Sequence, residues 1–184
     1  VETKKYKSIK DSETTLTELM IPSYANFGGK IHGGFLLSLM DKVAYVTATK
    51  HSGAYCVTVA VEGVEFLSPV EVGDLVSIKA SVNFVCNTTM IIGMRVEALN
   101  TIKNSLRHTN SCYFTMAAKD DNGQLMEVPG LFIENELQLR RYAEAKELKK
   151  ISLEKRKMFK SDLNYKTIKE LKLDTKYDKC KIEF

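Results

Sequence analysis

No stretch of this 184-residue chain approaches the run of about eighteen apolar residues that a bilayer-crossing helix needs. Its early lysines, Lys4, Lys5, Lys7 and Lys10, are not followed by the apolar run of a secretory signal. A soluble, cytoplasmic protein is expected. The four cysteines, Cys56, Cys86, Cys112 and Cys180, contain no CxxC pair, and no histidine stands at metal-ligand spacing from them, so neither a zinc site nor a disulfide framework is indicated. Reduced thiols are the expectation. Cys56 and Cys112 fall in strand-like runs, where a free cysteine is commonly a small core residue. A cysteine nucleophile would need an activating base nearby, and the sequence places none.

What is present is enough apolar material for one respectable core: 44% of the residues are apolar, whereas two independent cores in a chain of this length would each be small. The net charge of +4 is unevenly spread. Residues 1–134 hold 12 Lys and Arg against 14 Asp and Glu, and residues 135–184 hold 15 against 9. The basic excess therefore belongs to the C-terminal segment, and the chain is read as a domain over 1–134 followed by a basic helix and tail over 135–184.

The organising stretch is 26–41, where a glycine-rich turn (Asn26, Gly28, Gly29, Gly33, Gly34) feeds a segment, 35–48, that is hydrophobic nearly all round. Such a segment predicts a helix buried within the fold. Asp41 sits in its middle, and a carboxylate taken out of water costs several kcal/mol unless it is paired or used. Gly34, Ser38, Asp41 or Lys42, Tyr45 and Thr49 recur at spacings of three or four and form one narrow polar stripe, placed to face a cleft. Gly33 and Gly34 stand where the helix begins, so their N–H groups lack an internal acceptor and carry the positive end of the dipole. A carbonyl oxygen turning negative during acyl transfer could be held there, with the Asn26 amide as a further donor and Asp41 as base. Either feature alone also has a plain structural reading: Gly-Gly before a helix is a turn, and a mid-helix Asp is often paired to a lysine or a hydroxyl.

Elsewhere, alternation over 12–19 predicts a first strand ended by Pro22 and Ser23, and runs rich in Val, Ile, Thr, Phe and Tyr at 56–67, 75–86, 89–99 and 110–119 predict four more. The helix is expected to stop near Gly53, with Lys50 and His51 as cations in its last turn. Asp120, Asp121, Asn122 and Gly123 make a tight turn. Helix formers over 136–160 predict a surface helix. A short strand, a helix and four antiparallel strands form an α+β fold whose sheet can wrap the helix, leaving an edge and the polar stripe for a two-fold partner.

Asn26, Gly29, Gly33, Gly34 and the Met40, Asp41 pair, followed in order by Val61 to Val70, Val72-Gly73-Asp74, Thr88-Thr89-Met90 and Phe114 to Asp120, resemble the acyl-coenzyme A thioesterases of the hotdog fold. The likeness is to the group holding bacterial YciA-type enzymes and cytosolic acyl-CoA hydrolases, and it covers roughly residues 11–155. It implies a five-stranded antiparallel sheet around a central helix, with an additional C-terminal helix, in a homodimer that assembles further to a trimer of dimers. It also implies hydrolysis of acyl-CoA with Asp41 as base or nucleophile, Asn26 positioning water or carbonyl, and the Gly33 and Gly34 N–H groups receiving the oxyanion. Asn26 and Asp41 of one site would come from opposite subunits.

Asn87, Thr88 and Thr89 resemble the loop that contacts coenzyme A, but Cys86-Asn87 stands where relatives often carry Gly-Arg, so Lys119 or the basic helix is expected to meet the phosphates. No metal or cofactor is expected, coenzyme A being part of substrate and product, and neither a nucleic-acid nor a membrane partner is implied. His32, beside the glycines, is taken as structural, and His51 and His108 receive no role. Two alternatives remain: a hotdog thioesterase of the phenylacetyl-CoA type, which also has His-Gly-Gly before its helix, and a non-catalytic acyl-CoA-binding sensor. A hotdog dehydratase is disfavoured because no Asp-x-x-x-x-His pattern is present.

Overall fold

The computed structural model describes residues 5–161. The chain divides into two compact units after Ala145. In the first, five strands form one antiparallel sheet in the order β2-β4-β5-β6-β3: β2 is Thr14–Leu19, β3 Tyr55–Phe66, β4 Asp74–Val85, β5 Thr89–Asn100 and β6 Ser105–Lys119. Helix α1, Gly33–Ser52, packs on one face. β6 begins five residues before the position expected from its alternation, because 105–108 continue the ladder opposite Glu97 to Asn100. A parallel pair, β1 (Tyr6–Ser8) with β7 (Gly130–Phe132), was not legible, since three residues carry no period. Gly130 is needed in it, because a Cβ there would stand 2.4 Å from the Tyr6 ring.

Alternation sets the core. Val76, Ile78, Ala80 and Val82 of β4, with Met90, Ile92, Met94, Val96 and Ala98 of β5, turn inward onto Leu36, Leu39, Met40, Val43 and Ala44 of α1. Cys56 and Cys112 are buried and free, and burial pushes the Cys112 thiol up to about 12. Helix α1 stops at Gly53, whose φ of 73° is the left-handed conformation that glycine adopts without a Cβ clash.

His51 corrects the expectation of a terminal cation. It is fully buried, its Nε2 lies 2.8 Å from the Pro129 carbonyl oxygen, and its Nδ1 has no partner among the described residues. The ring must donate from Nε2 to that carbonyl, and desolvation holds its pKa below the ordinary value. Lys50 is the cation, its ammonium donating to the Glu13 carbonyl. A histidine kept neutral by the fold contributes stability that is present above the unfolded value, about pH 6.5, and is lost as pH falls below it. Chemical denaturation of wild type and His51→Gln across pH 5 to 8, taken as rough bounds around that value, is expected to show the steeper acid loss in the wild type.

Asp74 is fully buried, and its Oδ2 accepts from Arg107 Nη2 at 2.6 Å and from the Glu71 N–H at 2.9 Å. These two bonds fix the Val72-Gly73-Asp74 turn between β3 and β4. Arg107 is partly exposed and can be hydrated without its partner, so the main cost of Asp74→Ala is the lost acceptor at the Glu71 N–H and the guanidinium, and the substitution is expected to destabilise the fold by about 1–3 kcal/mol, measurable by urea unfolding.

Helix α2, Glu136–Ser161, starts in the first unit. There Gln138 and Ala145 are buried, the Gln138 amide oxygen accepts from the Glu134 N–H at 2.7 Å, and Tyr142 lies against Phe84 with ring centroids 5.2 Å apart. These contacts hold the first turns of α2 within the first unit. In the second unit the helix exposes Ile151, Leu153, Met158 and Phe159, with Lys155 over the Phe159 ring. The expected basic tail, from residue 162 on, and Cys180 lie outside the described residues.

Candidate active site

The loop before α1 is built on Asn26. Its Oδ1 accepts from the N–H groups of Gly28 at 2.9 Å and Lys30 at 3.2 Å, and Gly29 turns the chain at φ 73°. With the oxygen so occupied, the Nδ2 hydrogens are left to face outward, as a donor to a carbonyl requires. The adjacent Phe27 is wholly exposed.

At the helix start the two glycines differ. His32 is the N-cap, and its Nδ1 accepts from the Gly34 N–H at 2.9 Å. Gly34 is therefore not an open oxyanion donor as expected, and His32 is structural. The Gly33 N–H has no acceptor among the described residues. Gly33 also lies under Phe66 of β3, where a Cβ would meet the ring at 3.3 Å.

Asp41 is exposed in the single chain, not buried as the helix's apolar composition suggests. The sheet covers one side of α1 only, so Gly34, Ser38, Asp41, Lys42 and Tyr45 lie open along the other. The carboxylate is nevertheless fixed: Thr58, near the start of β3, donates from Oγ1 to Asp41 Oδ1 at 2.6 Å. Sequence reasoning missed Thr58, because a threonine inside a β-branched run carries no signal of its partner. Among the described residues no hydrogen bond joins Asn26 or the glycines to Asp41, and eight helical steps, about 12 Å of rise, separate Gly33 from Asp41.

Asn87 and Thr88 form the turn between β4 and β5, and Thr89 opens β5. The Thr88 carbonyl accepts from the Ala118 N–H at 3.1 Å, which brings this turn beside Lys119. Lys119 stands opposite Tyr55 on β3. The four residues expected to hold coenzyme A thus gather at one end of the sheet, while Gly33 starts α1 beside the other end of β3. β3 is an edge strand, and Val59, Val61 and Phe66 along it, with Tyr45 and Val46 of α1, are exposed. A long apolar edge of this kind is a pairing surface. Among the described residues no cluster of His, Cys, Asp or Glu could hold a metal, and no helix is long and apolar enough to cross a membrane.

Residues 28–103 match the Thioesterase superfamily. The chain is 42% identical over 127 residues to protein VdlD of Helicobacter pylori, covering 69% of this chain and 72% of that protein. It is 30% identical over 138 residues to the uncharacterized acyl-CoA thioester hydrolase YkhA of Bacillus subtilis, covering 74% and 79%. The chain belongs to the thioesterase superfamily. This thioesterase superposes on the acyl-CoA hydrolase of Staphylococcus aureus solved with butyryl coenzyme A and coenzyme A, with a TM-score of 0.80, 27% identity and coverage of 87% and 98% of the two chains. It superposes equally, at 0.80 and 29% identity over 82% and 97%, on an apo hexameric acyl-CoA thioesterase. The α+β sheet and helix of the thioesterase are thus those of the hotdog fold.

Proposed function

We propose that this thioesterase hydrolyses acyl-CoA to a carboxylic acid and coenzyme A by general-base attack of water, with Asp41 as the base. The observation that carries the reading is the carboxylate held by Thr58 at 2.6 Å on an open helix face beside an unpaired sheet edge. Alanine replacements made in the Staphylococcus aureus enzyme fall on an Asp and a Thr seventeen positions apart, the separation of Asp41 from Thr58. In the reaction Asp41 takes a proton from water as its oxygen bonds the thioester carbon. The carbonyl oxygen, now negative, receives the Gly33 N–H and the Asn26 Nδ2 hydrogens. Collapse breaks the C–S bond, and the departing thiolate takes up the proton that Asp41 received from water, which restores the carboxylate. None of these steps calls on a metal or a bound cofactor.

Each site is read as shared in a homodimer. A partner seated on β3 and the open stripe of α1 would cover the exposed apolar edge and bring its Asp41 to the Asn26 and Gly33 of the first subunit. Three such dimers would make a hexamer, the assembly size of the related acyl-CoA thioesterase. Asn87, Thr88, Thr89 and Lys119 supply hydroxyls, an amide and a cation for the coenzyme A portion. The three free cysteines among the described residues suit the reducing cytoplasm.

A panel of acyl-CoAs from acetyl to palmitoyl, with phenylacetyl-CoA, assayed by free-thiol release, is expected to show turnover for at least one straight-chain substrate. Binding of acyl-CoA without release of thiol from any member would replace hydrolysis by sensing, and turnover of the aromatic thioester alone would reassign the substrate class.

A further inference from the structure

On the outer face of the sheet, opposite α1, a cleft of about 380 Å³ opens between the strands and the first turns of α2. Pairing aligns its floor in rows: Thr15, Lys79, Arg95 and Ser111 stand opposite one another across four strands, and Ser81, Gly93 and Tyr113 form the next row. Arg140, Arg141 and Glu144 overhang it from the helix. The hollow depends on Gly93. A Cβ there would lie 2.1 Å from Asn83 Nδ2, so glycine in mid-strand lets the Asn83 amide fold across the backbone.

Two carboxylates, Glu13 and Glu144, are among the lining residues, and Glu144 is engaged by Arg140. Asn83, one of the lining residues, is 5% exposed; its Oδ1 accepts from Ser81 Oγ at 3.0 Å, and its Nδ2 has no acceptor among the described residues. Lys79 and Arg95 both spend their charge on Glu97, at 2.7 and 2.8 Å, and Arg140 is 3.5 Å from Glu144. Arg141, half-buried, has no carboxylate partner among the described residues. Burial raises the Tyr113 phenol above its ordinary value, so its hydroxyl stays protonated and able to donate. An amide donor, a phenol and a guanidinium without a carboxylate partner among the described residues, set around one hollow, suit an oxyanion, which a guanidinium binds through two parallel bonds. The hollow is larger than a bare phosphate needs and of the size that takes a small organic molecule.

We propose that this cleft, formed by Asn83, Gly93, Tyr113 and Arg141, binds a small organic oxyanion, a phosphate monoester or a carboxylate. Asn83, Gly93 and Tyr113 have no part in the proposed thioesterase chemistry, whereas Arg141 stands on the basic helix that is the alternative to Lys119 for the coenzyme A phosphates, so the effect of Arg141→Gln on KM separates the two roles. The test is calorimetric titration of the full-length protein with phenyl phosphate, with benzoate and with benzamide, at matched ionic strength. One of the two anions is expected to bind at least about tenfold more tightly than neutral benzamide, and which one identifies the source chemistry. Arg141→Gln, a change on a helix surface that leaves the core intact, is expected to weaken that anion about tenfold or more, and Gly93→Ala to do the same by pushing Asn83 aside. The proposal is overturned if neither anion outcompetes benzamide, or if Arg141→Gln binds as the wild type does. It is also overturned if Arg141→Gln raises KM for acyl-CoA in step with the lost anion affinity, which would make the cleft part of the substrate's phosphate site.

Discussion

Asp41→Asn is expected to lower kcat by about 10²- to 10⁴-fold while leaving substrate binding close to normal, because the amide cannot take a proton from water. The substitution is sterically mild. Asparagine keeps an oxygen to accept from Thr58, whose hydroxyl lies 2.6 Å from the present carboxylate, and the side chain is exposed in the single chain, so no buried contact is lost. Loss of activity with an unchanged unfolding midpoint would therefore report chemistry and not folding. A variant that keeps kcat within about twofold of the wild type would remove Asp41 from the role of base.

Coexpression of Asn26→Ala with Asp41→Ala, each expected to be inactive alone, is expected to restore roughly a quarter of wild-type activity if every site takes its asparagine from one subunit and its aspartate from the other. In a mixed dimer one site then receives both lesions and its mate neither. Random pairing makes about half the dimers mixed, each with one of two sites intact. The motive is geometric: Asn26 is bonded to its own loop and Asp41 to Thr58, with no hydrogen bond between them among the described residues, and Gly33 and Asp41 are about 12 Å apart along the helix. Asn26 and Asp41 are both exposed in the single chain. Background activity in a preparation shown to contain mixed dimers would refute the shared site and return both residues to one subunit.

Much of the fold is legible without coordinates because it is local. Alternation in 75–86 and 89–99 marks which side chains turn inward, and β4 and β5 follow those runs to within a residue or so at either end. Gly53 ends α1 because the left-handed φ it adopts excludes most other residues, a property of the residue itself. The turn at Asp120 is of the same kind: its Oδ1 accepts from the N–H groups of Asn122 and Gln124 before any tertiary contact is needed.

What the sequence determined by itself is therefore the order of elements, their apolar faces and the candidate residues Asn26, Gly33 and Asp41 at their spacing, since these follow from periods of two and 3.6 and from the chemistry of single side chains. Only the tertiary structure decided the partners. That Asp41 stands open and is held by Thr58, that His32 takes the Gly34 N–H, that His51 is neutral against Pro129, and that Asn83 folds over Gly93 beneath α2 are relations between elements. A one-dimensional pattern states how apolar a face is, but the register and packing of the neighbouring element select which group it meets and whether water still reaches it.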